Sequence, residues 1–463
     1  IAGIDGDHQF IDSYGRQRFF RGLNVVYKGY PYYPKIDAFD PITSFTEEDI
    51  QILSSVNMNV IRLGVLWAGV EPEQNQYNES YLQVIKGIVD KCNQYGIYVL
   101  LDSHQDVMNE KFCGEGVNGG KAFPIPFGFP TRYDANDVPT GSACKISWPL
   151  LYSTSAVSKA WQNFYDNYKG IRDAFINQWL KIVGLFKDSN NLLGYDLLNE
   201  PWAGDVLGKP YLLKASASSK ENLGPLWNDL NTAIRTVDNN GIIFYTAVTW
   251  DLLGSGFDTV PGGADYNNRS SFSYHYYRPP RIFKPDLDLR NRVKEAKKVG
   301  GATMMTEFET AYDKGKNLES ISTAIKAAES NLQSWIGWQY KDFYPLTRML
   351  NGEGLVDSVT GKIITDTAVV FSQTYPEAVA GKIISSGNDD GFSLTYNIDT
   401  SIEQPTIIRI QETYHYPNGF NVEIVPEGLL EWVKSDGGNL AISMVDKLKI
   451  TNGQEFTVRI KSL

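Results

Sequence analysis

Short apolar runs recur along this chain, separated by stretches with helical spacing. FFRGLNVV (19–26) is the first and NVIRLGVLW (59–67) the second. IYVLLDSHQD (97–106) and NLLGYDLLNEP (191–201) are the third and fourth. GIIFYTAVTW (241–250), SFSYHYY (271–277), ATMMTEFE (302–309) and QSWIGWQYKDF (333–343) complete eight. These runs are largely continuous rather than alternating, as parallel strands covered on both faces require. Between them, TEEDIQILSSVN, YLQVIKGIVDKCNQYG and AFINQWLKIVGLF carry helical periodicity. Eight such units predict a closed (β/α)8 TIM barrel. An open doubly wound sheet is the second choice. It lacks support, because no glycine-rich phosphate loop follows the first strand.

The texture changes near residue 380. IISSGNDDGFSLTYNID, PTIIRIQ, NVEIVPEG, LAISMVD and EFTVRIKSL alternate apolar and polar positions, with turn residues between. They predict a small all-β antiparallel sandwich. The expected division is a barrel over 1–378 and a sandwich over 379–463. A length of 463 residues also favours two domains over one core.

Composition narrows the function. The chain is 42% hydrophobic and 21% charged, as in a soluble globular protein. A net charge of −11, from 43 basic and 54 acidic residues, disfavours nucleic acid and anionic lipid surfaces. No run of about 18 apolar residues is present, so no membrane span is expected. Ten Trp, 27 Tyr and 22 Phe suit stacking on sugar faces as well as a large core. The chain opens at Ile1 without an initiator methionine, which suggests a removed leader or a trimmed start. Sequons at Asn78-Glu79-Ser80 and Asn268-Arg269-Ser270 fit a secreted or lumenal protein. Cys92 lies in a helical stretch and is expected as a buried thiol. Cys113 and Cys144 share a long Gly/Pro-rich loop, where a disulfide is expected in an oxidising compartment. Two such cysteines and four scattered histidines make a zinc site a poor fit, and no metal or cofactor is expected.

Catalytic groups of a (β/α)8 barrel sit at the C-terminal ends of its strands. The polar residues gather there. The third run ends in Asp102, His104 and Asp106, at alternate positions that share one face. An Asp-rich metal site is the other reading of these three. The fourth run ends in Asn199-Glu200. The sixth carries His275 and Tyr277, the seventh ends in Glu307, the eighth holds Trp338, and the second holds Arg62. Two glutamates at the ends of the fourth and seventh strands, with His and Tyr between them, suit glycoside hydrolysis. One acid protonates the leaving oxygen while the other, ionised, attacks the sugar carbon. At a separation of about 5–5.5 Å the outcome is retention through a glycosyl-enzyme.

LNEP on the fourth strand and TEF on the seventh resemble glycoside hydrolase family 5. LDSHQDVMNEKFCGEG, YDLLNEPWAGD and the appended sandwich resemble, within it, the endoglycoceramidases, which cut between a glycan's reducing-end glucose and ceramide. The resemblance covers essentially the whole chain. It implies Glu200 as general acid/base, Glu307 as nucleophile and Asn199 as partner of the sugar 2-hydroxyl. It implies Tyr277 as the residue holding the nucleophile, though Tyr274 and Tyr276 compete for that place, with His275 on the same wall. Arg62 would pair with the nucleophilic carboxylate. Asp102, His104, Asp106 and Lys28 would contact sugar, and Trp338 would stack beneath it. Trp148, Trp202 and Trp250 are weaker candidates for cleft lining. The chain departs from the pattern at Glu309, where Gly often follows Glu-Phe, and Glu309 stays open as a second candidate nucleophile.

The apolar loop 112–151, with KAFPIPFGFPTRY and KISWPLLY, is expected to help form a ceramide channel. The expected partner is a glycosphingolipid at a membrane or micelle surface, met by a monomer. A glucosylceramidase or sterol-β-glucosidase is the nearest alternative. A cellulase-like polysaccharide hydrolase and a lectin-like protein on an inactive barrel follow it.

Overall fold

The computed structural model describes the chain except residues 110–111, 113–127, 131–150, 252–253, 279–281, 344–351 and 436. The eight apolar runs form a closed, all-parallel barrel. Its strands are β1 (Arg21–Val25), β2 (Val60–Gly64), β3 (Tyr98–Asp102) and β4 (Leu192–Asp196), followed by β5 (Ile243–Tyr245), β6 (Ser270–Tyr276), β7 (Ala302–Phe308) and β8 (Ser334–Gly337). Each pairs with its successor, and β8 closes on β1 through Ile336 opposite Gly22. Helices Glu47–Ser55, Glu79–Gln94 and Ile171–Phe186 match the stretches with helical spacing. Their apolar faces join the outer strand faces in one buried cluster. Cys92 lies in it, and burial pushes its thiol pKa up. No described helix is long and apolar enough to cross a membrane.

The barrel floor is filled by Phe20, Val60, Leu100, Leu193, Phe244, Met304 and Ile336, with Ile4 and Phe10 packed against them. Ile4 and Phe10 come from two-residue strands at the N-terminus, too short to show periodicity. Phe10 stacks on Phe244 with ring centroids 5.9 Å apart.

Beyond the barrel lie β9 (Tyr375–Val379), β10 (Gly381–Gly387), β11 (Phe392–Ile398) and β12 (Thr406–Arg409), then β13 (Phe420–Val425), β14 (Leu430–Lys434), β15 (Leu440–Met444) and β16 (Glu455–Ser462). One sheet has the order β10-β11-β16-β13. In the other, β9-β12-β15-β14 is extended by Gly3–Ile4, Phe10–Ile11 and Gln17–Arg18, so segments from before and after the barrel build one seven-stranded sheet. Buried residues such as Leu394, Phe456 and Ile408 fill the space between the sheets. Buried Glu377 is gripped by Arg18 at 2.8 Å and Arg409 at 2.7 Å, and these cations hold its pKa low despite burial. Tyr375 reaches the Asn57 carbonyl at 3.0 Å and lies under Arg21, 4.0 Å from its ring centroid. These contacts brace the sandwich against the barrel.

Candidate active site

The site grows from Arg62, on the inner face of β2. Its guanidinium has five N–H donors and makes five hydrogen bonds. Nε donates to Asp196 at 2.8 Å, and Nη1 to Asn24 at 3.1 Å and Glu307 at 2.7 Å. Nη2 donates to Asp102 at 2.8 Å and Asn199 at 3.0 Å. One buried cation thus ties together the ends of β1, β3, β4 and β7.

Glu307 sits near the end of β7, almost fully buried. Its second oxygen accepts from the Tyr277 hydroxyl at 2.9 Å. Burial, then Glu307 itself, pushes the Tyr277 pKa well up, so the phenol keeps its proton and donates. The competition among the tyrosines is resolved by direction. Tyr276 donates to the Phe283 carbonyl at 3.0 Å, and Tyr274 lies beside Phe272 and Arg292 on the outer face. Glu200 is more open, with a side chain 20% exposed against 6% for Glu307. His275 Nδ1 lies 2.8 Å from Glu200 and 3.5 Å from Glu307, within reach of both. One oxygen of each glutamate and this nitrogen lie within 4.8 Å of one another. That spacing is on the scale of a retaining pair, well short of the roughly 6.5–9.5 Å that leaves room for water between the acids.

Glu309 lies near enough for its charge to act on Tyr277, and its carboxylate has a partner of its own. The strand ends at Phe308, and the Glu309 carboxylate folds onto its own backbone, accepting from Ala311 N–H at 2.9 Å.

A second row runs along the other wall. His104 places Nδ1 2.7 Å from Asp102 and Nε2 3.4 Å from Asp106. Lys28 reaches Asp106 at 2.6 Å and lies 4.7 Å from the centroid of Trp338, which stacks on His104 at 5.3 Å. Trp338 is half-buried at the end of β8. Asp102 corrects an expectation. It is expected to take sugar hydroxyls, but it is fully buried and both its oxygens are engaged, one by Arg62 and one by His104. Its work is to hold those two groups. Asn199 is also nearly buried. Its Nδ2 donates to the Gln105 carbonyl at 3.0 Å and lies 3.4 Å from His104 Nε2.

Residues 28–343 match the family Cellulase (glycosyl hydrolase family 5), and residues 373–460 match the glycoside hydrolase family 5 C-terminal domain. The chain belongs to glycoside hydrolase family 5. It is 38% identical to an endoglycoceramidase of Cyanea nozakii over 92% of this chain and 87% of that protein. It is 39% identical to one of Hydra vulgaris over 90% of this chain and 82% of that protein. Its fold is shared with endo-glycoceramidase II from Rhodococcus sp., solved in complex with ganglioside GM3. The TM-score is 0.79 at 21% identity, covering 98% of this chain and 99% of the other.

The charge balance of this family 5 site is uneven. Five carboxylates, Asp102, Asp106, Asp196, Glu200 and Glu307, face two fixed cations, Arg62 and Lys28. Burial raises the Asp196 pKa, opposed by Arg62 and assisted by Asp102. Burial also opposes charge on His275, yet Glu307 and Glu200 outweigh it and raise its pKa above the ordinary 6.5. A raised histidine pKa stabilises the fold fully below the unfolded value, and that stabilisation is lost as pH climbs through the folded value. His275→Gln should therefore flatten the fall of melting temperature above about pH 6.5. Melting curves for parent and variant over neutral to alkaline pH check this, and parallel curves would contradict it.

Four residues of the site escape sequence reasoning: Asn24, Gln105, Tyr152 and Asp196. Asn24 and Asp196 had a visible signal, a polar residue inside an apolar run. Asn24 donates to the carbonyls of Thr306 at 3.0 Å and Gly337 at 3.1 Å. Trp202 stacks on Tyr152 at 5.4 Å and meets Trp250 edge-on at 4.7 Å. Trp148, the expected Cys113–Cys144 disulfide and most of loop 112–151 lie outside the described residues.

Proposed function

We propose that this chain is a retaining endo-β-glycosidase that cuts between the reducing-end glucose and the ceramide of glycosphingolipids. The observation that carries it is the facing pair Glu200 and Glu307 in unlike surroundings, with one carboxyl oxygen of each within 4.8 Å of the other. The match in sequence to the Cyanea and Hydra endoglycoceramidases, over most of this chain and of theirs, supports the aglycone. Glu307 is the nucleophile. Arg62 and Tyr277 each donate to one of its oxygens, which suits a group that attacks as an anion. Glu200 is the acid/base, more open to the leaving side.

In the first step Glu307 attacks the anomeric carbon from the α face, and Glu200 gives its proton to the glycosidic oxygen. Ceramide leaves as an alcohol. In the second step water enters on the vacated side, Glu200 takes its proton, and the glycosyl ester breaks with net retention. Asn199 is placed to meet the sugar 2-hydroxyl. Trp338 carries the apolar sugar face, and His104, Asp106 and Lys28 offer the polar groups around it.

Mass spectrometry of products from a ganglioside and from glucosylceramide, supplied separately, tests the reading. Intact oligosaccharide plus ceramide from the ganglioside, absent with Glu200→Gln, is the expected result. Glucose released from glucosylceramide alone would make it a glucosylceramidase instead. No product from either lipid would remove the glycolipid reading.

A further inference from the structure

Glu200 stands on an unusual backbone. Its φ is +38°, the left-handed region that a side-chain-bearing residue seldom adopts. Two residues beyond Gln105, Val107 has φ +53° and Met108 has φ +68°. Val107 is β-branched, which makes that conformation harder still to hold. Strained backbone thus occurs at Glu200, after β4, and at 107–108, after β3. The side chain between them is Gln105, which is fully buried.

Both ends of its amide are engaged. Nε2 has two N–H groups, donated to the carbonyls of Asn199 at 2.7 Å and Glu200 at 3.0 Å. Oε1 accepts from Met108 N–H at 2.9 Å. The Gln105 backbone carbonyl accepts from Asn199 Nδ2 at 3.0 Å, and Tyr152 braces the same turn by accepting from Val107 N–H at 2.8 Å. Met108 in turn passes its carbonyl to Gly128 N–H at 3.2 Å and Phe129 N–H at 3.0 Å. The turn bearing Glu200 is thus joined through one amide to the backbone of Met108 and, through it, to that of Gly128 and Phe129.

We propose that Gln105 is the positioning residue of the acid/base, and that its amide holds the Glu200 backbone in the conformation that aims the carboxyl at the glycosidic oxygen. Without it, the Asn199 and Glu200 carbonyls lose this donor, and the strained turn is free to relax to a common backbone region. The Cα–Cβ direction of Glu200 then swings, while Glu307, held by Arg62 and Tyr277, stays in place. The inference rests on the assignment of Glu200 as acid/base.

The test compares aryl β-lactosides with different leaving groups. A 2,4-dinitrophenolate leaves without a proton, whereas a 4-methylumbelliferyl or phenyl group needs one. Gln105→Glu keeps the shape and removes the double donor. Its kcat/KM should fall about 100-fold for phenyl lactoside and by no more than about threefold for the dinitrophenyl compound. Burst titration with a 2-deoxy-2-fluoro dinitrophenyl lactoside counts the folded sites with a working nucleophile. Equal losses on every leaving group, or no loss on any, would overturn the proposal. If Gln105→Glu yields no titratable sites, Gln105→Asn takes its place. That variant keeps the donors but shortens their reach, and the same pair of leaving groups decides for or against the proposal. Glu200→Gln is run alongside. If it shows the leaving-group dependence and neither Gln105 variant does, this inference alone fails. If Glu200→Gln lacks it, the acid/base assignment fails and takes this inference with it.

Discussion

Glu307→Gly should lose about 10⁴-fold or more in turnover of any lactoside, because no other described group is placed to form the glycosyl ester. Added azide is expected to restore part of that loss. It occupies the space the carboxylate leaves, attacks from the α face, and the product is the α-lactosyl azide. Glu200→Gly with a dinitrophenyl lactoside should behave differently. The first step proceeds without a proton donor, the glycosyl-enzyme accumulates, and azide attacks it from the opposite face to give the β-lactosyl azide. The two anomers therefore assign the two roles, and NMR of the products reads them directly. Glu309→Gln belongs in the same series. Its carboxylate is turned to the Ala311 amide, 2.9 Å away, and the change should leave turnover within about threefold. A β-azide from Glu307→Gly, together with a large loss in Glu309→Gln, would move the nucleophile to Glu309.

That ambiguity shows where sequence reasoning reaches and where it stops. Alternation predicts that Glu307 and Glu309 point the same way on a continuing strand. Glu309 lies just past the last strand residue, Phe308, and its carboxylate turns back to the Ala311 amide. The eight apolar runs were legible because parallel strands covered on both faces leave a continuous apolar signature. The facing glutamates were legible because a barrel collects its chemistry at the strand ends. Direction along a strand does not say what lies opposite, however. Asp102 shares a face with His104 and Asp106, but Arg62, 40 positions earlier, claims one of its oxygens. Gln105 lies between two residues read as ligands, and its partners are carbonyls 94 and 95 positions away. Nothing local marks that pairing. The N-terminal strands were invisible for another reason, since two residues carry no period.

Arg62→Met should cost about 3–5 kcal/mol of stability, more than other single changes in the barrel mouth, and should abolish activity with it. The cost does not come from losing a favourable ion pair. Burial works against charge on Arg62, and Asp102, Asp196 and Glu307 together outweigh it and raise its pKa. Removing the guanidinium leaves those three carboxylates buried without their shared cation, and two amide oxygens without their donor. Arg62→Lys keeps the charge but has three donors on a flexible stem, where the site needs five in a planar fork, so it should recover only part of the loss.

The pH dependence separates this account from simple loss of packing. Burial already raises the Asp196 pKa in the parent, and without Arg62 it should rise further. A carboxyl with a raised folded pKa binds its proton more tightly folded than unfolded. The variant's penalty is then largest at neutral pH and shrinks as pH falls toward the carboxylate range. Urea unfolding of parent and variant at stepwise lower pH should show the gap narrowing. A gap that stays constant would mean that the side chain's volume, and not its charge, holds the strand ends together.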